Sequence, residues 1–313
     1  MTAVTVFAPA TVSNVACGFD VLGFALDGPG DEVTVRFSPS GVRIDDIVGD
    51  AGRLPRDAER NTAGVAARAL LSAVGERRGV TLSIRKGLPL SSGLGGSAAS
   101  AAAAVVALDA LLGTRAPVET LIACALEGER IGAGSAHADN VAPAICGGLV
   151  LVRQANPADI VRLPVPPGLT AVVVHPPLEI KTASARALLG DTVTLSDAVR
   201  QWANLGALVH GLHVSDFALI ARSLEDAVAE PRRAPLVPGL GAIKQAALDA
   251  GALGSSLSGS GPSLFALCAR PDIAPRVADA MSAAVRREIG GDPEVFVSPM
   301  ASQGARVLST CAS

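Results

Sequence analysis

The sequence predicts an α/β chain in two parts. Three observations carry this: strand-like alternation in "VTVFAP" and "DEVTVRF", helix-like apolar spacing over residues 61–77, and prolines from about residue 155 that separate two stretches in which both patterns recur. With 313 residues and 49% hydrophobic content, the chain can bury a core in one large domain or two ordinary ones.

The first strands are expected at 4–9 and 31–37, with "ATVSNVACGFD" as a loop between them and a Gly/Pro turn at 28–30. A helix follows at 61–77 with Asn61 as its N-cap, then a strand in "GVTLSIRKGLP". The segment "KGLPLSSGLGGSAASAAAAVVALDALLG" turns from small residues into a helix-forming run. A second helix at 118–130 leads through loop signals in "GAGSAHADNVAPAICGG" to a strand at 148–152. Prolines in "NPADIVRLPVPPGLT" place a domain junction between 155 and 168, dividing the chain into 1–160 and 161–313. Beyond it we expect a strand at 170–175 and helices at 182–189, 195–209, 215–228 and 239–250. A Gly-rich loop and strand in "SSLSGSGPSLFALC", a helix at 273–289 and a strand in "PEVFVSPM" complete the chain, with no fixed-period repeat.

Composition excludes several classes. A net charge of −3 with scattered basic residues is no footprint for nucleic acid. The apolar runs are alanine-rich and fall short of the roughly 20 residues a membrane span needs. The start "MTAVTVFAPA" has no basic region followed by an apolar core, so a cytoplasmic protein is expected. Cys17, Cys124, Cys146, Cys268 and Cys311 are far apart without a CxxC pair, which favours free thiols over disulfides or zinc. His210 and His213 have the spacing of one helix face, but no ligand constellation accompanies them.

The chemistry concentrates in the glycine-rich turn. A turn feeding a helix is a natural anion site, because the first backbone N–H groups are unpaired and the helix dipole favours negative charge. Gly93, Gly95 and Gly96 let the backbone approach a phosphate, and Ser97 at the helix start is available to cap the helix, touch phosphate or ligate Mg²⁺. A tight turn before a packing helix is the plainer reading. The P-loop is excluded because no lysine follows the glycines. Gly93, Gly95 and Ala98 match the dinucleotide fingerprint GxGxx[GA]. That motif requires a second strand ending in an acid, whereas here the nearby acid, Asp109, lies within the helix and another helix follows.

The segment "PLSSGLGGSAAS" resembles the phosphate-binding motif of the GHMP kinases, with Gly96 where a serine is commoner, and "PATVSNVACGFDVLGFAL" and "GSSLSGSGPSLFAL" are similar to the other two motifs of that superfamily. Within it, "SAHADNVAPAICGG", "EIKTASARALLG" and "EPRRAPLVPG" resemble the homoserine kinase family. The resemblance implies the GHMP kinase fold: an N-terminal half like ribosomal protein S5 domain 2, a C-terminal ferredoxin-like half, and the site between them. It also implies ATP and Mg²⁺, L-homoserine as phosphoryl acceptor on the route to threonine, and a homodimer. Another acceptor of the same superfamily, or a metabolite sensor without turnover, are the rival readings.

Residue by residue, the resemblance places the ATP phosphates on Pro89, Leu90, Ser91, Ser92, Gly93, Leu94, Gly95, Gly96, Ser97, Ala98 and Ala99, with Asn61 toward adenine. Ser97 and Glu129 would hold Mg²⁺, with Glu127 the neighbouring alternative. Asn14 and Asp20 suit the ammonium and hydroxyl of homoserine, and Arg186 and Arg233 its carboxylate, with Arg232 adjoining. Gly259 and Gly261 would admit substrate and phosphate closely. Asn140 replaces the aspartate that acts as base in some superfamily members, and His137 would position it or the substrate. An asparagine takes no proton at neutral pH, so orientation and electrostatic stabilisation are implied in place of side-chain base catalysis.

Overall fold

The computed structural model describes residues 2–133, 136–300 and 302–311. In chain order the first part holds β1 (Ala3–Ser13), β2 (Leu22–Ser38), β3 (Val42–Val48), α1 (Thr62–Ala73), β4 (Gly79–Arg85), α2 (Gly96–Leu112), α3 (Val118–Ala133), α4 (Ala138–Cys146), β5 (Leu149–Ala155) and β6 (Ala158–Leu163). The second holds β7 (Thr170–His175), α5 (Thr182–Ala187), α6 (Leu195–Val214), α7 (Phe217–Ser223), α8 (Glu230–Arg233), α9 (Leu240–Asp249), β8 (Gly254–Leu257), β9 (Leu264–Cys268), α10 (Ala274–Glu288), β10 (Glu294–Pro299) and β11 (Arg306–Cys311).

Among the described residues the strands form two sheets. One runs β11-β1-β2-β4-β3 with β5 joining β2 and carrying β6, and the other runs β10-β7-β9-β8. The chain is therefore mixed α/β, but the sheets do not divide it at one point. Strand β6 straddles residue 160 and stays with the first sheet, and β11 returns from the far end of the chain to pair with β1.

Helix α2 dominates the first core. Ala98, Ala99, Ala101, Ala102, Ala103 and Ala104 are fully buried, as are Val105 and Leu108. A helix that is apolar on all sides belongs in an interior, and alanine lets it lie close to its neighbours. A second core gathers Val172, Val174, Ile243, Leu264, Val277 and Met281. The two parts meet where Phe24 of β2 and Phe265 of β9 pack edge to face, 6.1 Å between centroids.

The structure departs from the sequence reading in definite places. Residues 10–13, expected in a loop, extend β1, because Ala10, Thr11, Val12 and Ser13 are all buried between neighbours. No turn forms at 28–30; β2 runs through with a register shift against β1. Strands β3, β6, β8 and β11 and helix α4 were not anticipated; α4 carries Pro143 inside it and begins in a small-residue segment that reads as loop. The loop signals at residues 134 and 135 lie outside the described residues. The helix expected at 215–228 ends at Ser223, because the Asp226 carboxylate accepts from Val228, Ala229 and Glu230 N–H and so starts α8 instead. Asn61 does cap α1, its side chain accepting from Ala63 N–H at 3.0 Å. After the glycine turn α2 is followed by α3, which rules out the dinucleotide fingerprint. Among the described residues no helix is long and apolar enough to cross a membrane.

The close packing of α2 leaves no space for a larger side chain. Ala103→Leu should destabilise the fold by about 1–3 kcal/mol, read as a lower midpoint in urea unfolding with an unchanged slope.

Candidate active site

Between β4 and α2 the chain makes a tight loop in which Ser91, Gly93 and Gly95 take left-handed backbone conformations, with φ of 56°, 77° and 66°. A Cβ on Gly95 would lie 2.0 Å from Thr11 Oγ1, and one on Gly93 2.5 Å from the Ser258 carbonyl. Glycine is required at both positions for conformation and for contact. Gly95 is the N-cap of α2 and no side chain caps the helix, so its first turn, at Gly96 and Ser97 on the cavity wall, is left uncapped, the kind of helix end that favours an anion.

That cavity, about 430 Å³, lies where β1, the loop, α4 and the segment around Gly259 converge. Its volume suits a small-molecule ligand. At the start of α2, Ser97 Oγ donates to Glu129 Oε2 at 2.8 Å, and His137 Nδ1 lies 3.4 Å from Glu129 Oε1. Glu129 is buried, whereas Glu127 is exposed and paired with Arg130. Of the two glutamates, only Glu129 stands at the cavity.

A second group of side chains gathers around the loop after β1. Asn14, Val15, Ala16 and Asp20 all have positive φ, from 42° to 70°. Such strain persists only where the surroundings over-determine it. Here Asn14 Nδ2 donates to the Gly259 carbonyl at 2.9 Å, Asn14 Oδ1 accepts from Asp20 N–H at 3.0 Å, and Gln201 holds the Cys17 carbonyl at 2.9 Å. The same Gly259 carbonyl accepts from Arg233 Nη1 at 2.9 Å. Arg233 is buried and its Nε–H has no protein partner, while Arg232 turns away to the Leu189 and Thr192 carbonyls. Arg186 pairs with Asp20 at 2.5 Å, and its guanidinium and that of Arg233 each lie 5.3 Å from the Phe19 ring centre. Asn140 is fixed at both ends of its amide: Oδ1 accepts from Thr11 Oγ1 at 2.7 Å and Nδ2 donates to Ser13 Oγ at 3.0 Å.

Family models for the N-terminal and the C-terminal domains of GHMP kinases match residues 61–148 and 197–287. A homoserine kinase of Chlorobium phaeobacteroides is 48% identical over 322 aligned residues, covering 98% of this chain and 100% of the relative. The chain belongs to the homoserine kinase family of the GHMP kinases. The crystal structure of homoserine kinase from Cytophaga hutchinsonii, 50% identical, superposes with a TM-score of 0.95 over 98% of each chain. Leishmania major mevalonate kinase, solved with R-mevalonate, shares the fold at 18% identity and a TM-score of 0.69, covering 93% of this chain and 94% of its own.

In this member of the homoserine kinase family most of the residues singled out in the sequence converge on one cavity: Pro89 to Gly93, Gly95 to Ser97, Asn61 and Glu129, with Asn14, Asp20, His137, Asn140, Arg233 and Gly259. Besides the alternatives Glu127 and Arg232, five do not line it, Gly261 among them. Leu94, Ala98 and Ala99 are fully buried, with their side chains in the core below the loop, and Arg186 reaches the site only through Asp20. Asn61 spends its amide on Ala63 N–H and the Pro55 carbonyl, which is a structural use beside any contact with a ligand.

Asp139 and Lys86 were not picked out from the sequence. Asp139 lies between His137 and Asn140 in "HADN", so its place in the motif was the available signal. Its Oδ2 accepts from Asn14 N–H at 3.2 Å, and its Oδ1 is buried without a hydrogen-bond partner. Burial, then the charge of Asp20, push the Asp139 carboxyl up to about 7, against the pull of His137. Burial disfavours charge on His137 too, but the hydrogen bond and charge of Glu129, with Asp139 and Asp20, hold its pKa above the ordinary value. Burial lowers the pKa of Arg233, opposed by Asp20.

Gly96 has no positive φ, and a Cβ there meets nothing nearer than Lys86 Nζ at 3.6 Å, so Gly96→Ser should fold with an unchanged melting temperature. Gly95→Ala, by contrast, should melt lower or fail to accumulate, which thermal unfolding of the pair would read. For Asp139, the folded state holds the proton more tightly than the unfolded chain between its ordinary 3.8 and about 7. Stability is therefore lost as pH rises through that window, and the penalty is complete above it. Asp139→Asn should raise the melting temperature by about 3–6 °C at pH 8 and leave it nearly unchanged at pH 4.

Proposed function

We propose that the protein is a homoserine kinase, transferring the γ-phosphoryl group of ATP to the side-chain hydroxyl of L-homoserine to give O-phospho-L-homoserine in threonine biosynthesis. The observation that carries this reading is one cavity with two chemically distinct ends: an uncapped helix N-terminus beside Ser97 and Glu129, and the acids and arginine Asp20, Asp139 and Arg233. The first end suits a polyphosphate. The second suits a zwitterion, because the free Asp139 Oδ1 matches an ammonium and the free Arg233 Nε–H a carboxylate.

Phosphoryl transfer depends on positioning and charge neutralisation more than on covalent chemistry by the protein. The acceptor hydroxyl oxygen bonds to the γ-phosphorus, the bond from that phosphorus to the bridging oxygen of ADP breaks, and the hydroxyl proton leaves through a phosphate oxygen or water. Asn140, held by Thr11 and Ser13, orients and does not accept that proton. Ser97 and Glu129 offer two hard oxygen ligands, which fits Mg²⁺ with phosphates and water completing its shell, and the ion would supply neutralisation of phosphate charge. The same reading carries a cytoplasmic location and, by family resemblance, a homodimer.

ADP release by the purified protein with Mg·ATP should depend on L-homoserine and be absent with mevalonate, galactose or L-serine. Glu129→Ala should lower kcat by at least about 100-fold. Turnover with a different acceptor would replace the substrate, and ATP binding without any turnover would make the protein a sensor.

A further inference from the structure

Asp31 and Lys86 form a fully buried ion pair, their side chains 0% and 3% exposed, directly beneath the glycine loop. The pair is part of a closed hydrogen-bond network. Lys86 Nζ donates to Asp31 Oδ2, to the Gly96 carbonyl at 2.7 Å and to Ser100 Oγ at 2.9 Å. Ser100 Oγ in turn donates to Asp31 Oδ2 at 2.7 Å, and Asp31 Oδ1 accepts from Gly87 N–H at 3.1 Å. One carboxylate on β2 therefore grips the chain where it leaves β4, at Gly87, and where it enters α2, through Lys86 and Ser100.

Lys86 lines the cavity, and a lysine beside a phosphate loop invites the reading of a direct phosphate ligand. Its chemistry argues otherwise. An ammonium has three N–H donors, and all three are engaged by Asp31, Gly96 and Ser100. Its charge is matched by a carboxylate that is itself wholly removed from water. What the network fixes is the placement of Gly96, and with it the adjoining Ser97 and the first-turn N–H groups of α2.

Accepting that the cavity binds ATP, we propose that Asp31, Lys86 and Ser100 are a buried clamp that spaces the two ends of the phosphate loop, and that Lys86 is a positioning residue and not a phosphate ligand. The test is ATP affinity by calorimetry without acceptor, alongside separate KM values for ATP and L-homoserine, in Lys86→Met, Asp31→Asn and the double variant. Each single change should weaken ATP about tenfold and leave the homoserine KM within about twofold, and the double variant should be no worse than the single ones, since all three break one unit. Lys86→Arg, which keeps the charge but misfits the site, should not restore affinity.

Were Lys86 a direct ligand, Asp31→Asn would free its charge and leave ATP binding unchanged or tighter; that result overturns the clamp, as does a fall in melting temperature with no change in ATP affinity. If the charge variants do not fold, Ser100→Ala, which leaves both charges in place, decides: an ATP affinity about threefold weaker supports the clamp and an unchanged one overturns it. A wild-type protein that binds no ATP overturns the clamp together with the proposed function, whereas intact wild-type turnover with an unaffected Asp31→Asn removes the clamp alone.

Discussion

The uncapped N-terminus of a buried helix is the constraint around which the rest of the molecule is arranged. Alanines along α2 bring it against the first sheet and the neighbouring helices, so most of its body is buried. Its N-terminal residues Gly96, Ser97 and Ser100 reach the cavity, and no side chain caps the backbone N–H groups of its first turn. A helix end without such partners calls for a ligand or water to complete it. The loop before it has to approach Thr11, Asn140 and the Ser258–Gly261 turn more closely than any side chain would allow, which accounts for Gly93 and Gly95.

The opposite wall is assembled from distant parts of the chain by backbone carbonyls and caps. The Gly259 carbonyl holds Asn14 and Arg233 together. Asp226, by starting α8, decides that Arg233 and not Arg232 turns inward, and Gln201 links Asp226 to the strained loop through the Cys17 carbonyl. Burying so many charges in one place has a cost, visible in the raised pKa of Asp139, and an amino-acid substrate with an ammonium of its own would relieve it.

Much of this was legible in the sequence where chemistry is local. The glycine turn, the Ala-rich helix and the Asn61 cap each depend on residues within a few positions of one another. Helix α4 was not, because Pro143 and the small residues before it read as loop, although tertiary contacts keep it helical. Strand β11 was missed for a related reason: its residues are mostly exposed, so no alternation of buried and exposed positions marks it, and it is strand only because β1 offers an open edge. Asp139 is legible only by its place in "HADN", and Lys86 only as the residue before a glycine loop.

By itself the sequence determined the α/β class, the glycine-rich turn before a buried helix and, through three ordered motifs, the family, since these rest on spacing along the chain. The tertiary structure alone decided which of Glu127 and Glu129, and which of Arg232 and Arg233, face the cavity, because neighbours in sequence point to different surroundings once a helix forms. It alone also joined Asp31 to Lys86 across 55 positions. Buried pairing is a property of the folded interior, and no local pattern announces which carboxylate will meet which ammonium there.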